Sequence, residues 1–125
     1  MKFAKIVFRI AGVWGVLLLA PLYFIFDMIG QQDPPPITHP AFYYGFVGIA
    51  LAWQVAFFII ANDPLRFRPM MIPSILEKVA YGSAAVVLYL QGLLHVQDLA
   101  FGVVDLVFAA LFVMAYVRIG RPQAA

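Results

Sequence analysis

The sequence predicts an all-α integral membrane protein, a four-helix bundle forming a single transmembrane domain over residues 1–125, and three observations predict it. Apolar residues make up 65% of the chain and charged residues 11%, against roughly 45–50% and about 25% in soluble domains. The apolar residues fall in four long runs, each near the ~20 residues that cross a hydrocarbon core about 30 Å thick. With four spans, all eight Lys and Arg residues come to one side. A soluble chain this short could not hide so much apolar surface, because small domains bury a smaller share of it. The runs are continuous and too long for the ~9–11-residue strands of a membrane barrel.

The first helix is expected over 6–28, and residues 10–26 carry no charge. Lys2, Lys5 and Arg9 suit the start of a signal peptide. The apolar core exceeds the usual ~7–15 residues and no small-x-small site follows, so a retained anchor is expected. Asp33-Pro34-Pro35-Pro36 removes successive backbone donors and cannot lie inside a helix.

The second helix is expected over 41–61, with Pro40 in its first turn and Thr38 or His39 as its cap. Gln54 is its one strongly polar residue. Asn62-Asp63-Pro64 ends it, with Asp63 placed to cap a short turn at the membrane surface. Gly48, Ala52 and Ala56, with Ala41 and Gly45 nearby, form a small-residue stripe along which another helix is expected to pack, and Ala11 and Gly15, Ala80 and Ala84, and Gly102 and Ala110 offer seams on the other three helices.

The third helix is expected over 74–95. Ser74-Ile75-Leu76-Glu77 has the capping-box pattern, Ser74 accepting a backbone N–H and Glu77 reaching back. Lys78 then falls in the first turn, near the membrane boundary. The link to the fourth helix, expected over 99–117 with Asp98 as its cap, is short. Helices three and four are therefore antiparallel neighbours.

Lys2, Lys5, Arg9, Arg66, Arg68, Lys78, Arg118 and Arg121 share one side, which the positive-inside rule places in the cytoplasm. The expected location is a bacterial inner membrane, with both termini inside. The opposite loops hold Asp27, Asp33, His39, His95 and Asp98, and no Lys or Arg.

The chain has no cysteine. Disulfides, thiolate metal sites and thiol redox chemistry within it are excluded. No phosphate cradle, nucleophile–base pair or zinc motif is present. No reaction is predicted, no cofactor is implied by a motif, and the chain is expected not to be an enzyme.

Asp105 is the most informative residue. It lies about 10 Å into the fourth helix from Asp98, at ~1.5 Å per residue. A carboxylate at that depth requires a partner, a proton or water. Matching depths across the bundle puts Tyr89, Gly48 and Pro21 at the same level, and Pro21 leaves the Leu17 carbonyl without its helical donor. No cation falls at this level. The four residues Asp105, Tyr89, Gly48 and Pro21 are the expected ligand-binding group, with Asp105 hydrogen-bonded to Tyr89 or to that carbonyl.

Ser74, Glu77 and Arg118 are expected to be structural polar residues. Glu77 is read as level with Tyr116 and close to Arg118, with Arg66 and Arg68 within reach. Arg66 and Arg68 flank Phe67 between prolines and suit a loop lying on an anionic leaflet. His39, His95 and Asp98 are the residues placed to meet at a metal or haem iron, although their spacing matches no metal motif.

Two segments carry a resemblance. Residues 62–78 read NDPLRFRPMMIPSILEK and residues 105–118 read DLVFAALFVMAYVR. They resemble stretches of small uncharacterised bacterial four-helix membrane proteins, and the plan is similar to that of DoxX-like proteins. That resemblance implies a link with quinone or thiol redox systems, and the lack of cysteine speaks against the thiol branch.

Three functional expectations follow. The first is a non-enzymatic accessory or oligomer-forming subunit. The second is a binder or carrier of a small hydrophobic ligand, such as a lipid or quinone, around Asp105. The third is proton or solute transport by an oligomer. The expected partners are the lipid bilayer, further copies of the chain or another membrane protein, and not nucleic acid.

Overall fold

A computed structural model describes residues 1–120 of the chain, and within them every regular element is helical, with no strand. Arg121, read above as one of the cations flanking the membrane, lies outside the described residues. The helices are α1 (Lys2–Leu19), α2 (Phe26–Gln32), α3 (Pro40–Asn62), α4 (Met71–Leu90) and α5 (Val96–Gly120). Short 3-10 turns occupy Ala20–Phe24 and Arg68–Met70. Four segments are long and apolar enough to cross a membrane: Lys2–Phe24, Pro40–Asn62, Arg68–Leu90 and Val96–Gly120.

The first expected helix is divided. Pro21 has no N–H to give to Leu17, so the α-helical ladder stops at Leu19 and the chain tightens into the 3-10 turn. Ile25 then leaves helical geometry at φ −126°, and α2 begins as a separate helix. The carbonyl of Leu22, freed by this break, accepts a hydrogen bond from the Tyr43 hydroxyl of α3.

The third expected helix starts earlier than its capping pattern suggests. It begins at Met71, which places Pro73 in the first turn, where a missing N–H costs nothing. Ser74 is therefore inside the helix and is no cap. Its hydroxyl donates to the Met70 carbonyl at 2.7 Å. The other end is also displaced, because α4 stops at Leu90 and α5 opens at Val96. Asp98 sits in the first turn of α5 and does not cap it. Asp63 does hold the turn after α3, accepting the Arg66 backbone N–H at 3.3 Å.

The helices pack as an up-and-down bundle. α4 lies along α5, α1 lies along α3, and α1 also touches α5, whereas α3 and α4 meet only sparsely. Close approach is made at Gly15 and Gly102, two of the expected seam residues, and at Gly12 and Gly82, and not along the second-helix stripe. A Cβ on Gly102 would lie 2.4 Å from that of Ala85, and one on Gly82 would lie 2.5 Å from Leu106 Cγ. Gly12 faces the Phe58 ring, and Gly15 faces the Gln54 amide. Of the α3 stripe, Ala41, Gly45 and Ala52 are exposed, and nothing lies within 4 Å of a Cβ on Gly45.

Contacts assign the ends of the bundle. Arg118 stacks on Phe3 at 4.2 Å, and Arg68 lies over the Tyr116 ring at 3.7 Å. These join the start of α1, the loop before α4 and the end of α5 at one end, here the basic end. His95 Nε2 approaches Asp33 Oδ1 at 3.0 Å, joining the α4–α5 turn to the segment after α2 at the opposite, acidic end.

The two halves differ in density. In the basic half Phe8, Phe57 and Phe112 are fully buried, with Phe8 and Phe112 stacked at 4.2 Å. Ala4, Ala11, Ile60, Ala61, Met71 and Ala115 complete a solid core. The acidic half holds a partly open cavity.

Candidate functional site

The cavity has a volume of about 550 Å³ and receives residues from every spanning helix and from α2. Leu18, Leu19, Leu22, Phe46, Ala50 and Phe101 give it apolar walls. Gln32, Asp33, Gln97 and Asp98 lie toward the acidic end. Glu77, Lys78 and Asp105 line it from α4 and α5, and Gln54 lines it from α3.

Lys78 organises this polar cluster. It shares the buried face of α4 with Met71, Ser74, Gly82 and Ala85, a helical spacing that turns all five inward. It is only 3% exposed. Its Nζ lies 3.4 Å from Asp105 Oδ1 and 3.7 Å from Glu77 Oε2. Both distances exceed the ~2.7–2.9 Å of a tight N⁺–H···O⁻ contact, so the ammonium is shared between two carboxyl groups without being locked to either. It also stands over Phe57 and Phe108, at 5.2 and 5.6 Å from the ring centroids. Lys78 thus joins the aromatic core to the cavity.

Gln54 is 1% exposed. Its Nε2 donates to the Ala50 carbonyl at 2.7 Å, one turn back in the same helix. That bond fixes which end is which, because a carbonyl accepts only from the amide nitrogen. Oε1 is left against Gly15, where there is no room for a side chain. Among the described residues, Gln54 Oε1 and Glu77 Oε2 are buried side-chain atoms with no hydrogen-bond partner.

The expected ligand group is only partly assembled. Asp105 faces the interior and lines the cavity. Its partner is Lys78, which corrects the expectation that no cation reaches its level and that Tyr89 or the Leu17 carbonyl binds it. Tyr89 is 41% exposed. Gly48 is half-buried, next to the Tyr23 hydroxyl, and Pro21 is exposed in its 3-10 turn. None of these three lines the cavity. Tyr81 takes the place expected for Tyr89. The reason is register. A hairpin whose helices end at Leu90 and restart at Val96 sets Asp105 level with Tyr81, about two turns from Tyr89.

The same register moves Glu77. It lies inside α4 beside Lys78, away from Arg118, Arg66 and Arg68. Arg118 covers Phe3, and Arg66 lies over Phe67 at 5.3 Å. Arg68 is half-buried, and its Nε donates to the Tyr116 carbonyl at 3.1 Å. A cation at the end of α5 complements the helix dipole, so Arg68 serves the fold as well as any lipid surface.

At the acidic end His95, Asp33 and Asp98 come together, but His39 packs edge-on to Phe42 at 5.5 Å. The trio His39, His95 and Asp98 does not assemble. Among the described residues no group of three His, Cys, Asp or Glu is placed to hold a metal ion.

Lys78, Tyr81 and Asp33 are absent from the expected site, and Gln54 is noted in the sequence only as a polar interruption. Signals exist for Lys78 and Gln54: Lys78 falls on the same face as Ser74 and Gly82, and Gln54 is the one amide within the interior of an apolar helix.

Comparison of the chain with protein-family models, with curated proteins and with solved structures finds no match in any of the three.

Proposed function

We propose that the protein binds a small hydrophobic molecule in the cavity between its helices, within the bilayer. One observation carries this reading. An apolar-walled space of about 550 Å³ has an intramembrane Lys–carboxyl cluster in its lining. That volume falls within the ~300–1,000 Å³ common for small-molecule sites. Such sites combine apolar walls with a few polar groups that orient the ligand. Ionisable residues inside a membrane are costly and mark function by default. The proposed setting is a bacterial inner membrane, with the basic end in the cytoplasm. A place among DoxX-like proteins belongs to the same proposal.

A second reading, an oligomer-forming or accessory subunit, draws on the α3 face with Ala41, Gly45 and Ala52, which the bundle leaves uncovered.

Native mass spectrometry of protein purified in mild detergent tests both readings. The wild type is expected to retain a small molecule, and Ala50→Phe, which fills the cavity, is expected to lose it. A bare wild type, or equal retention by both proteins, would overturn the binding reading. The number of copies per particle decides the second.

A further inference from the structure

We propose that the ligand of this cavity is a hydrophobic cation: an ammonium or other onium group on an apolar body. Its charge lies against Asp105 and Glu77. The proposal rests on the cavity being a ligand site.

Charge comes first. The cavity is lined by the carboxyl groups of Asp33, Glu77, Asp98 and Asp105, and by one amine, Lys78. Asp33 has His95 beside it. In the inner cluster a single ammonium faces two carboxyl groups. Inside a bundle surrounded by lipid, the second negative charge must be met by a proton or by another cation.

Hydrogen bonding points the same way. Among the described residues, the buried side-chain atoms without a hydrogen bond are both acceptors: Gln54 Oε1, and Glu77 Oε2, which has only the 3.7 Å contact with the Lys78 ammonium. Lys78, the strongest donor in the cluster, is already shared. A head group that adds positive charge balances this site. A quinone, whose polar atoms are carbonyl acceptors, competes for the Lys78 ammonium and adds no positive charge for the second carboxyl group. An anion meets the carboxyl groups directly.

The walls suit the rest of such a molecule. Trp14, Phe46, Tyr81 and Phe101 supply aromatic surface. Ring faces attract cations, as Phe57 and Phe108 already do for Lys78. α3 and α4 meet only sparsely, with Phe46 and Tyr81 at 6.2 Å across the seam, and an apolar body is expected to enter there.

The test uses two probes of matched shape and opposite charge, tetraphenylphosphonium and tetraphenylborate, with menadione as a neutral quinone. Each is titrated by equilibrium dialysis against the full chain in lipid nanodiscs. Binding is the excess over the cavity-filled Ala50→Phe protein, which cancels partition into lipid. The wild type is expected to bind the phosphonium at least tenfold tighter than the borate. Glu77→Gln keeps the Lys78–Asp105 pair, and so the fold, and is expected to weaken phosphonium binding tenfold or more. Asp105→Asn, if folded by circular dichroism, should do the same.

Borate binding as tight as phosphonium, menadione binding without phosphonium, or an unchanged Glu77→Gln protein would each overturn the cation assignment while leaving the cavity as a ligand site. No excess binding of any probe would overturn both.

Discussion

Lys78 shows how the environment of one residue is set by its neighbours in space. A lysine at the centre of a spanning helix costs about 2.5–3.5 kcal/mol on insertion scales. Lys78 lies near the middle of the span Arg68–Leu90, and that cost is offset by Asp105, Glu77 and two aromatic faces. Lys78→Met removes the one cation and leaves two carboxyl groups facing each other. It is expected to cost about 3–5 kcal/mol, the usual penalty for breaking a buried pair. Detergent-unfolding midpoints measure it, and an unchanged midpoint would show that the pairing contributes nothing to stability. Combining Lys78→Met with Asp105→Leu is expected to recover part of the loss, since the carboxyl group left without a cation is then removed. Asp105 and Gln54 were legible in the sequence as lone polar residues in apolar runs. Lys78 was not, because a lysine just after Ser-x-x-Glu reads as a first-turn surface residue. Its depth depends on α4 starting at Met71, and that start rests on Pro73 being accepted in the first turn.

For the elements, the α4–α5 hairpin is the decisive unit. Gly82, Ala85 and Gly102 let the two helices approach until their backbones nearly touch. Gly102→Leu places a side chain where Ala85 already sits, and overpacking of this kind costs about 1–3 kcal/mol. A lowered unfolding midpoint with weakened Lys78–Asp105 coupling in a double-mutant cycle is expected. Gly45→Ala is the control. It meets open space and is expected to be neutral or up to about 1 kcal/mol stabilising. The existence of four spans was legible from hydropathy, and the main breaks from proline. The hairpin register was not. A helix end misplaced by a few residues on each side of one turn moves every cross-helix pairing together, which is why Tyr89 and Glu77 were both assigned to the wrong level.

For the whole molecule, the charges divide between the two ends. Lys2, Arg66, Arg68 and Arg118 lie at or near the basic end, and Asp27 and Asp33 lie toward the other. Lys78 belongs to neither end, so it no longer counts in the charge asymmetry, yet Lys2, Arg66, Arg68 and Arg118 keep the same sense. The chain has no cysteine, so single cysteines report orientation directly. A membrane-impermeant maleimide is expected to label Gln31→Cys in intact spheroplasts and Leu65→Cys only after lysis. The reverse pattern would invert the proposed topology.

What the sequence alone determined was the class of molecule: helical, four apolar spans, charges sorted between ends, and a carboxylate inside. These follow from local composition, because transfer into lipid depends on each segment's own residues. The tertiary structure decided which polar residues meet. A solid aromatic half, an open half, and one lysine between two carboxyl groups depend on where each helix begins and on which glycine touches which neighbour. Those are contacts across the bundle, and no single segment contains them.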